Sequence, residues 1–380
     1  MDERLSAEWP ARRERLFARL EEEGIDALFL PPSADLEYLT GVERDLPTFG
    51  EITYAHGWVT GAFLAPGREP LFVLPRMFVM FHLGGSQPGE VVVVNETDDG
   101  DALFREAAGR LGDVGRVAIG TRAWARTTLG LQEALPGAVV VDGGSLVAGL
   151  RRVKSELELE LMTVACGIAD EAMAATAARV APGVTMRELQ EDVEHELASR
   201  GSRCPSFPTH IFSWHGHDSG DATTGAQPIG EGECVMFDLG AVHQGYCSDF
   251  GRTVVAGEPP DGYLDAYGVM LAAQEAGRAA LVPGALAREV NAACRGPIEA
   301  AGLGAAFRHR MGHSIGLDVH ERPFLSPEDD TVLEAGMTFT DEPSILFDGR
   351  FGVRIEDVVV CAAGGGRVLN RLEAGPLPRA

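Results

Sequence analysis

The chain has no hydrophobic run able to cross a bilayer: stretches such as 25–30 and 91–94 fall far short of the about 20 residues a span needs. It has no Cys-x-x-Cys pair. The six cysteines, Cys166, Cys204, Cys234, Cys247, Cys294 and Cys361, are scattered, which argues against a disulfide frame or a thiolate metal site and fits reduced, mostly buried thiols. Positive charge is scarce. Lys154 is the only lysine, and 57 acidic against 32 basic residues give a net charge of −25. Such a field repels nucleic acid and anionic membranes, so neither is expected as a partner. The opening residues MDERLSAEWPARRER carry charge with no apolar stretch behind it. No signal peptide is expected, and the expected compartment is the cytoplasm.

What is present is an ordinary globular composition, 45% hydrophobic and 23% charged, over 380 residues. That length exceeds what one core usually organises, so two domains are expected. Residues 1–150 read as α/β. A charged amphipathic helix at Arg12–Glu23 precedes a buried strand at Ile25–Leu30, and a hairpin follows around Pro66-Gly67. Strands near 91–94, 116–119 and 138–141 then alternate with helical stretches near 101–111 and 123–134, as in a sheet covered by helices. Residues 151–380 read as α+β. Ser155 with Glu158 and Thr185 with Glu188 have the capping-box spacing that opens helices. Two strand-rich stretches, 233–256 and 336–361, flank a helical stretch at 262–302.

Chemistry concentrates in those two stretches. Asp238 and Asp249 lie symmetrically about a turn expected at His243-Gln244, and Glu342 and Glu356 lie symmetrically about Gly349. Paired this way, each hairpin sets two carboxylates face to face, about 4.5–5.5 Å apart at Cβ, where like charges repel. The strands are too apolar (Val-Met-Phe, Ile-Leu-Phe, Val-Val-Val) to be solvated faces. Four buried carboxylates without compensation would cost several kcal/mol each, and a cation cluster is the simplest remedy. Gly312-His313 offers a borderline nitrogen ligand, and His309 and His320 stand four residues before and seven after it. Asp238, Asp249, His313, Glu342 and Glu356 would suit two divalent ions, manganese or cobalt first, zinc or iron also. Taken singly, Asp238 reads as a turn or edge residue, His309 as a hydrogen-bonded core residue, and Asp318 and Asp341 as structural neighbours. The joint pattern is what points to a metal centre.

These stretches resemble the pita-bread metallopeptidases, in the branch of prolidase, aminopeptidase P and creatinase. The resemblance rests on Phe237-Asp238-Leu-Gly-Ala, Gly245-Tyr-Cys-Ser-Asp249-Phe-Gly-Arg-Thr253, Gly312-His313 through His320-Glu321, Glu342-Pro343 and Gly352-Val-Arg354-Ile-Glu356-Asp357. Tyr38-Leu-Thr-Gly41 and Arg152-Val-Lys-Ser155-Glu are similar to the family's first domain and its boundary. The resemblance implies a pita-bread catalytic domain, a creatinase-type N-terminal domain and a homodimer. It implies that Asp238 and Asp249 bind one metal and His313 and Glu342 the other, with Asp249 and Glu356 bridging. A bridging hydroxide would attack the peptide, Glu342 would take its proton, and His320 would stabilise the tetrahedral intermediate. His309 and Arg354 would face the substrate.

Three positions depart from the family's pattern. Asp221 stands 17 residues before Asp238, where Xaa-Pro peptidases carry a histidine, and Phe207 takes a tyrosine's place. Asp329 replaces an arginine 13 residues before Glu342. Asp221 is thus expected in the substrate site, favouring a positive or zwitterionic group, with His215 or His217 as possible stand-ins for the histidine. The expected activity is metal-dependent cleavage of a small Xaa-Pro peptide. The rivals are a creatinase-like or ectoine-hydrolase-like amidohydrolase, a lyase on a small zwitterion, and a non-catalytic binding module.

Overall fold

A computed structural model describes residues 3–44, 56–83 and 88–376, in two compact units, Met1–Arg151 and Arg152–Ala380. Met1 and Asp2, which begin the segment read for a signal peptide, lie outside the described residues. Among the described residues no helix is long and apolar enough to cross a membrane. All six cysteines are free and five are buried.

The first unit is a six-stranded mixed sheet, in the order Glu90–Val94, Leu71–Pro75, Gly61–Leu64, Ala27–Leu30, Arg116–Ile119 and Val139–Asp142. Leu71–Pro75 with Glu90–Val94 and Arg116–Ile119 with Val139–Asp142 are parallel pairs joined through a helix, and Gly61–Leu64 with Leu71–Pro75 is an antiparallel hairpin, as connection geometry requires. Ala27–Leu30, by contrast, pairs antiparallel with Gly61–Leu64 across a connection that contains the helix Ala34–Thr40. Phe29, Phe63, Phe104 and Trp58 form an aromatic cluster at its core. The first helix runs Glu3–Glu23 and continues through Pro10, so it begins earlier than the sequence suggests. Its buried stripe of Leu5, Trp9, Leu16 and Leu20 outweighs the proline's lost hydrogen bond.

The second unit repeats one plan. In its first half, helices Glu156–Ala177 and Met186–Ser199 pack on an antiparallel sheet ordered Phe250–Ala256, Glu233–Leu239, His210–Phe212, around Met173, Val193, Phe237 and Val254. In its second half, helices Tyr263–Ala280 and Ala287–Ala300 pack around Met270, Val290, Phe339 and Val359. The sheet there is ordered Glu321–Leu325, Gly312–Ser314, Thr338–Asp341, Asp357–Val360, Arg367–Val368. Both expected capping boxes open their helices with reciprocal hydrogen bonds.

The register of the first hairpin differs from the expected one. His243 pairs with Tyr246, and the turn residues are Gln244 (φ 50°) and Gly245 (φ 86°), both left-handed. A two-residue turn of that kind matches strand twist, and Gly245 meets the positive φ without strain. The axis therefore falls between Gln244 and Gly245, not at His243-Gln244. Asp238 pairs directly with Gly251, and Asp249 stands diagonally, two residues along. A shift of two preserves the face, so both carboxylates still point the same way. The second hairpin does turn on Gly349, at φ 70°. Asp341 pairs with Asp357 and Ser344 with Arg354, which leaves Glu342 and Glu356 at the junction between two ladders in one register.

Candidate metal centre

The two sheets of the second unit meet at an antiparallel bridge between Gly251 and Glu356. Gly251 is required there by space. A Cβ at that position would lie 2.7 Å from Glu356 Oε2. The missing side chain lets Glu356 reach over the first sheet toward Asp238 and Asp249. One ligand atom from each of these three carboxylates lies within 4.8 Å of the others.

His313 completes the group from the facing strand Gly312–Ser314. Its Nδ1 faces the Ser314 carbonyl at 3.1 Å, and a carbonyl only accepts, so Nδ1 carries the hydrogen and Nε2 is left for ligation. Nε2 lies 3.4 Å from Asp249 Oδ2 and 3.4 Å from Glu342 Oε1. The Thr340 hydroxyl donates to Glu342 Oε1 at 3.0 Å and accepts from the His313 backbone N–H at 3.0 Å, which ties the two residues together.

The electrostatics of this group are unfavourable as it stands. Burial, then Asp249, Glu342 and Asp238, push the Glu356 carboxyl well above its ordinary range. Burial also raises Asp238; Arg354, in direct contact with it, opposes the shift, while Asp249 and Glu342 add to it. Burial would lower His313, but the facing carboxylates Asp249 and Glu342 outweigh it and its pKa rises. Glu356 Oε2 is buried with no hydrogen-bond partner. An orphaned carboxylate oxygen, two neighbouring carboxylates and an imidazole lone pair aimed between acids form a donor set that fits divalent cations, and a cation would relieve the repulsion.

The group lies in a cavity of about 890 Å³. His309, His320, Arg354 and Phe207 line it too, so both histidines flanking His313, the arginine and the phenylalanine share one wall system with the carboxylates. His309 is held neutral. Burial lowers its pKa, its Nδ1 donates to the Arg310 carbonyl at 2.6 Å, and its Nε2 is left to accept from the Ser344 hydroxyl. The ring of His320 stands 4.1 Å from that of His313, at the exposed mouth.

Asp221 is not brought to this cavity. It is exposed, and its Oδ1 accepts from the Thr223 and Thr224 backbone N–H groups (2.9 and 2.7 Å) and from the Thr224 hydroxyl. These bonds lower its pKa and fix it in a local turn. Asp221→His is accordingly expected to leave kcat/KM on dipeptides within about twofold of the parent, and to lower the thermal midpoint slightly through the lost turn bonds. A large gain in kcat/KM would put the side chain back at the substrate. His217 bonds Glu233 at 2.6 Å and does not line the cavity, nor does His215. Asp329 caps its own loop through the Phe324 and Thr331 N–H groups.

Sequence reasoning missed three further arginines lining the cavity, Arg295, Arg308 and Arg310. It also missed His210, which sits directly across from Asp238 in the sheet and bonds Asp218 at 2.9 Å. His210 alternates with Ile211 in strand register, a signal legible only once the pairing of His210–Phe212 is known.

Residues 160–363 match the family model described as metallopeptidase family M24, and residues 12–153 match the creatinase/prolidase N-terminal domain. The Xaa-Pro dipeptidase of Pyrococcus furiosus is 36% identical over 228 residues, which is 60% of this chain and 66% of that protein's length. A probable dipeptidase PepE of Mycobacterium tuberculosis is 33% identical over 371 residues, 97% of this chain and 96% of the relative. Among solved structures, recombinant prolidase from Thermococcus sibiricus superposes with a TM-score of 0.86 at 27% identity, covering 98% of each chain. The prolidase of Pyrococcus horikoshii superposes at 0.83 with 26% identity, covering 96% of this chain and 99% of that one.

Proposed function

This chain belongs to metallopeptidase family M24, and on that premise we propose that it is a two-metal dipeptidase cleaving small Xaa-Pro peptides. The observation that carries this reading is the carboxylate triad of half-buried Asp238 with buried Asp249 and Glu356, and His313 Nε2 poised between Asp249 and Glu342. Asp238 and Asp249 would hold one ion and His313 and Glu342 the other, with Asp249 and Glu356 between them. Divalent ions bound there would supply Lewis-acid polarisation of the scissile carbonyl and a water acidified enough to attack at neutral pH.

The remaining work falls to side chains. Glu342, oriented by Thr340, accepts the proton of the attacking water and is placed to pass it to the leaving amine. His320 at the mouth donates to the oxygen that gains charge as the carbonyl becomes tetrahedral. His309, with both ring nitrogens bonded within the protein, presents its ring to the substrate as part of the cavity wall, and Arg354 fixes the orientation of Asp238. Manganese or cobalt fits the oxygen-rich donors best. Cytoplasmic residence, where the free thiols stay reduced, and a homodimer belong to the same proposal. Sedimentation at working concentration tests the dimer.

Protein stripped with a strong chelator and then reloaded with manganese should recover cleavage of Ala-Pro and related Xaa-Pro dipeptides, and the stripped protein should have none. The same panel should carry Xaa-Pro tripeptides, creatine and ectoine. Turnover of creatine or ectoine with no peptide cleaved would transfer the site to an amidohydrolase, and full activity without metal would remove the central claim.

A further inference from the structure

Four guanidinium groups line the cavity, and three of them are committed. Arg354 contacts Asp238. Arg308 holds Asp348 at 3.0 Å. Arg295 donates to the carbonyls of His309 and Phe307, both at 3.3 Å, with Glu299 at 3.7 Å. Arg310 has no such partner: among the described residues no carboxylate lies within ion-pair distance of it, and its Nε is buried without an acceptor. Its guanidinium lies over the Phe324 ring, 4.4 Å from the centroid. Stacking satisfies the face of the cation, and its terminal N–H groups, which can bind a carboxylate in bidentate fashion, belong to a residue lining the cavity and, among the described residues, have no acid of the protein to pair with.

Arg310 follows His309 directly in the chain and lines the same cavity as His309 and His320. Phe207, Phe307 and Val319 supply apolar wall alongside. A partly buried cation with no acid of its own is an incomplete ion pair, and in a protein of net charge −25 it is not there for lack of acids. An anion brought by the substrate would complete the pair.

We propose that Arg310 binds the free C-terminal carboxylate of a dipeptide, and so selects short substrates with an unblocked C-terminus and an apolar second residue. The inference rests on the peptidase reading for the identity of the anion. Arg310 is a specificity residue here, with no part in bond cleavage.

The test compares parent, Arg310→Met and Arg310→Lys, all manganese-loaded, on Ala-Pro and on Ala-Pro amide. Arg310→Met should lose about 100-fold in kcat/KM on Ala-Pro, mostly through KM, and should change little on the amide. Arg310→Lys should recover only part of the loss, since a point charge replaces a fork. Calorimetric titration with proline and with prolinamide gives a readout independent of turnover. The parent should prefer proline, and Arg310→Met should erase that preference while metal content and thermal midpoint hold. An unchanged carboxylate-to-amide ratio in both assays would overturn the assignment. If the parent cleaves no peptide yet its preference for proline depends on Arg310, the peptidase reading has failed and the carboxylate site stands.

Discussion

Glu356→Gln should abolish activity and, in the same protein, make the metal-free fold more stable. The two effects have one cause. Glu356 is buried between two sheets, its Oε2 has no partner, and Asp249, Glu342 and Asp238 all repel its charge. Glutamine keeps the volume and removes the charge, so in chelator-treated protein the substitution relieves repulsion and the thermal midpoint should rise. With divalent ions the order reverses. The parent gains stability from binding, about 2.7 kcal/mol at a hundredfold excess over Kd, because the ions bind the folded state alone. The variant, lacking the carboxylate central to the group, should gain little, and kcat/KM should fall by about 1,000-fold or more. Thermal melts with and without chelator, beside metal analysis of the purified proteins, read both effects. If chelator leaves the parent's midpoint unchanged, or the variant melts lower than the parent in its presence, the repulsive cluster is not a metal centre.

The candidate ligands were legible because hairpins impose symmetry on sequence. Glu342 and Glu356 sit evenly about Gly349, and the structure keeps that register through both flanking ladders. Asp238 and Asp249 were paired one step too tightly because the turn residues were taken as His243-Gln244. The positive-φ pair is Gln244-Gly245, and the face survived only because the resulting shift is two residues. Spacing served Asp221 poorly for a different reason. A count along the chain fixes where a residue lies, whereas the threonine N–H groups after Asp221 decide which way its carboxylate points. Nothing local could reveal the approach of Glu356 over Gly251, since it joins two sheets from opposite halves of the unit. Arg310 was invisible for a related reason: its distinction is a partner it lacks, and absence of a contact is a property of three dimensions.

Arg252→Met should cost about 3–5 kcal/mol of folding stability and weaken metal binding without touching a ligand. Arg252 is fully buried. Its Nη1 donates to the carbonyls of Gly251 (2.9 Å) and Glu356 (2.7 Å), and its Nη2 donates to Asp357 Oδ1 (2.7 Å) and the Leu372 carbonyl (2.8 Å). The guanidinium also lies 4.3 Å from the centroid of Phe250. It therefore clasps the two backbone positions at which the sheets join, and through them sets where Glu356 stands. Methionine fills the volume but strips the donors, leaving Asp357 with only the Gln274 bond at 2.9 Å and an uncompensated charge. Lysine is no substitute, because one ammonium cannot span four acceptors in the plane of a fork. Most of the cost is the stranded carboxylate, so Arg252→Met with Asp357→Asn should recover a substantial part of the stability lost by the single change. The metal affinity should not recover with it, because the Gly251 and Glu356 carbonyls remain unclasped. Urea melts of metal-free protein and titration with manganese separate the two outcomes. Recovery of both by the double variant would mean that Arg252 only neutralises Asp357, and a single-variant loss under about 1 kcal/mol would mean that the junction holds without it.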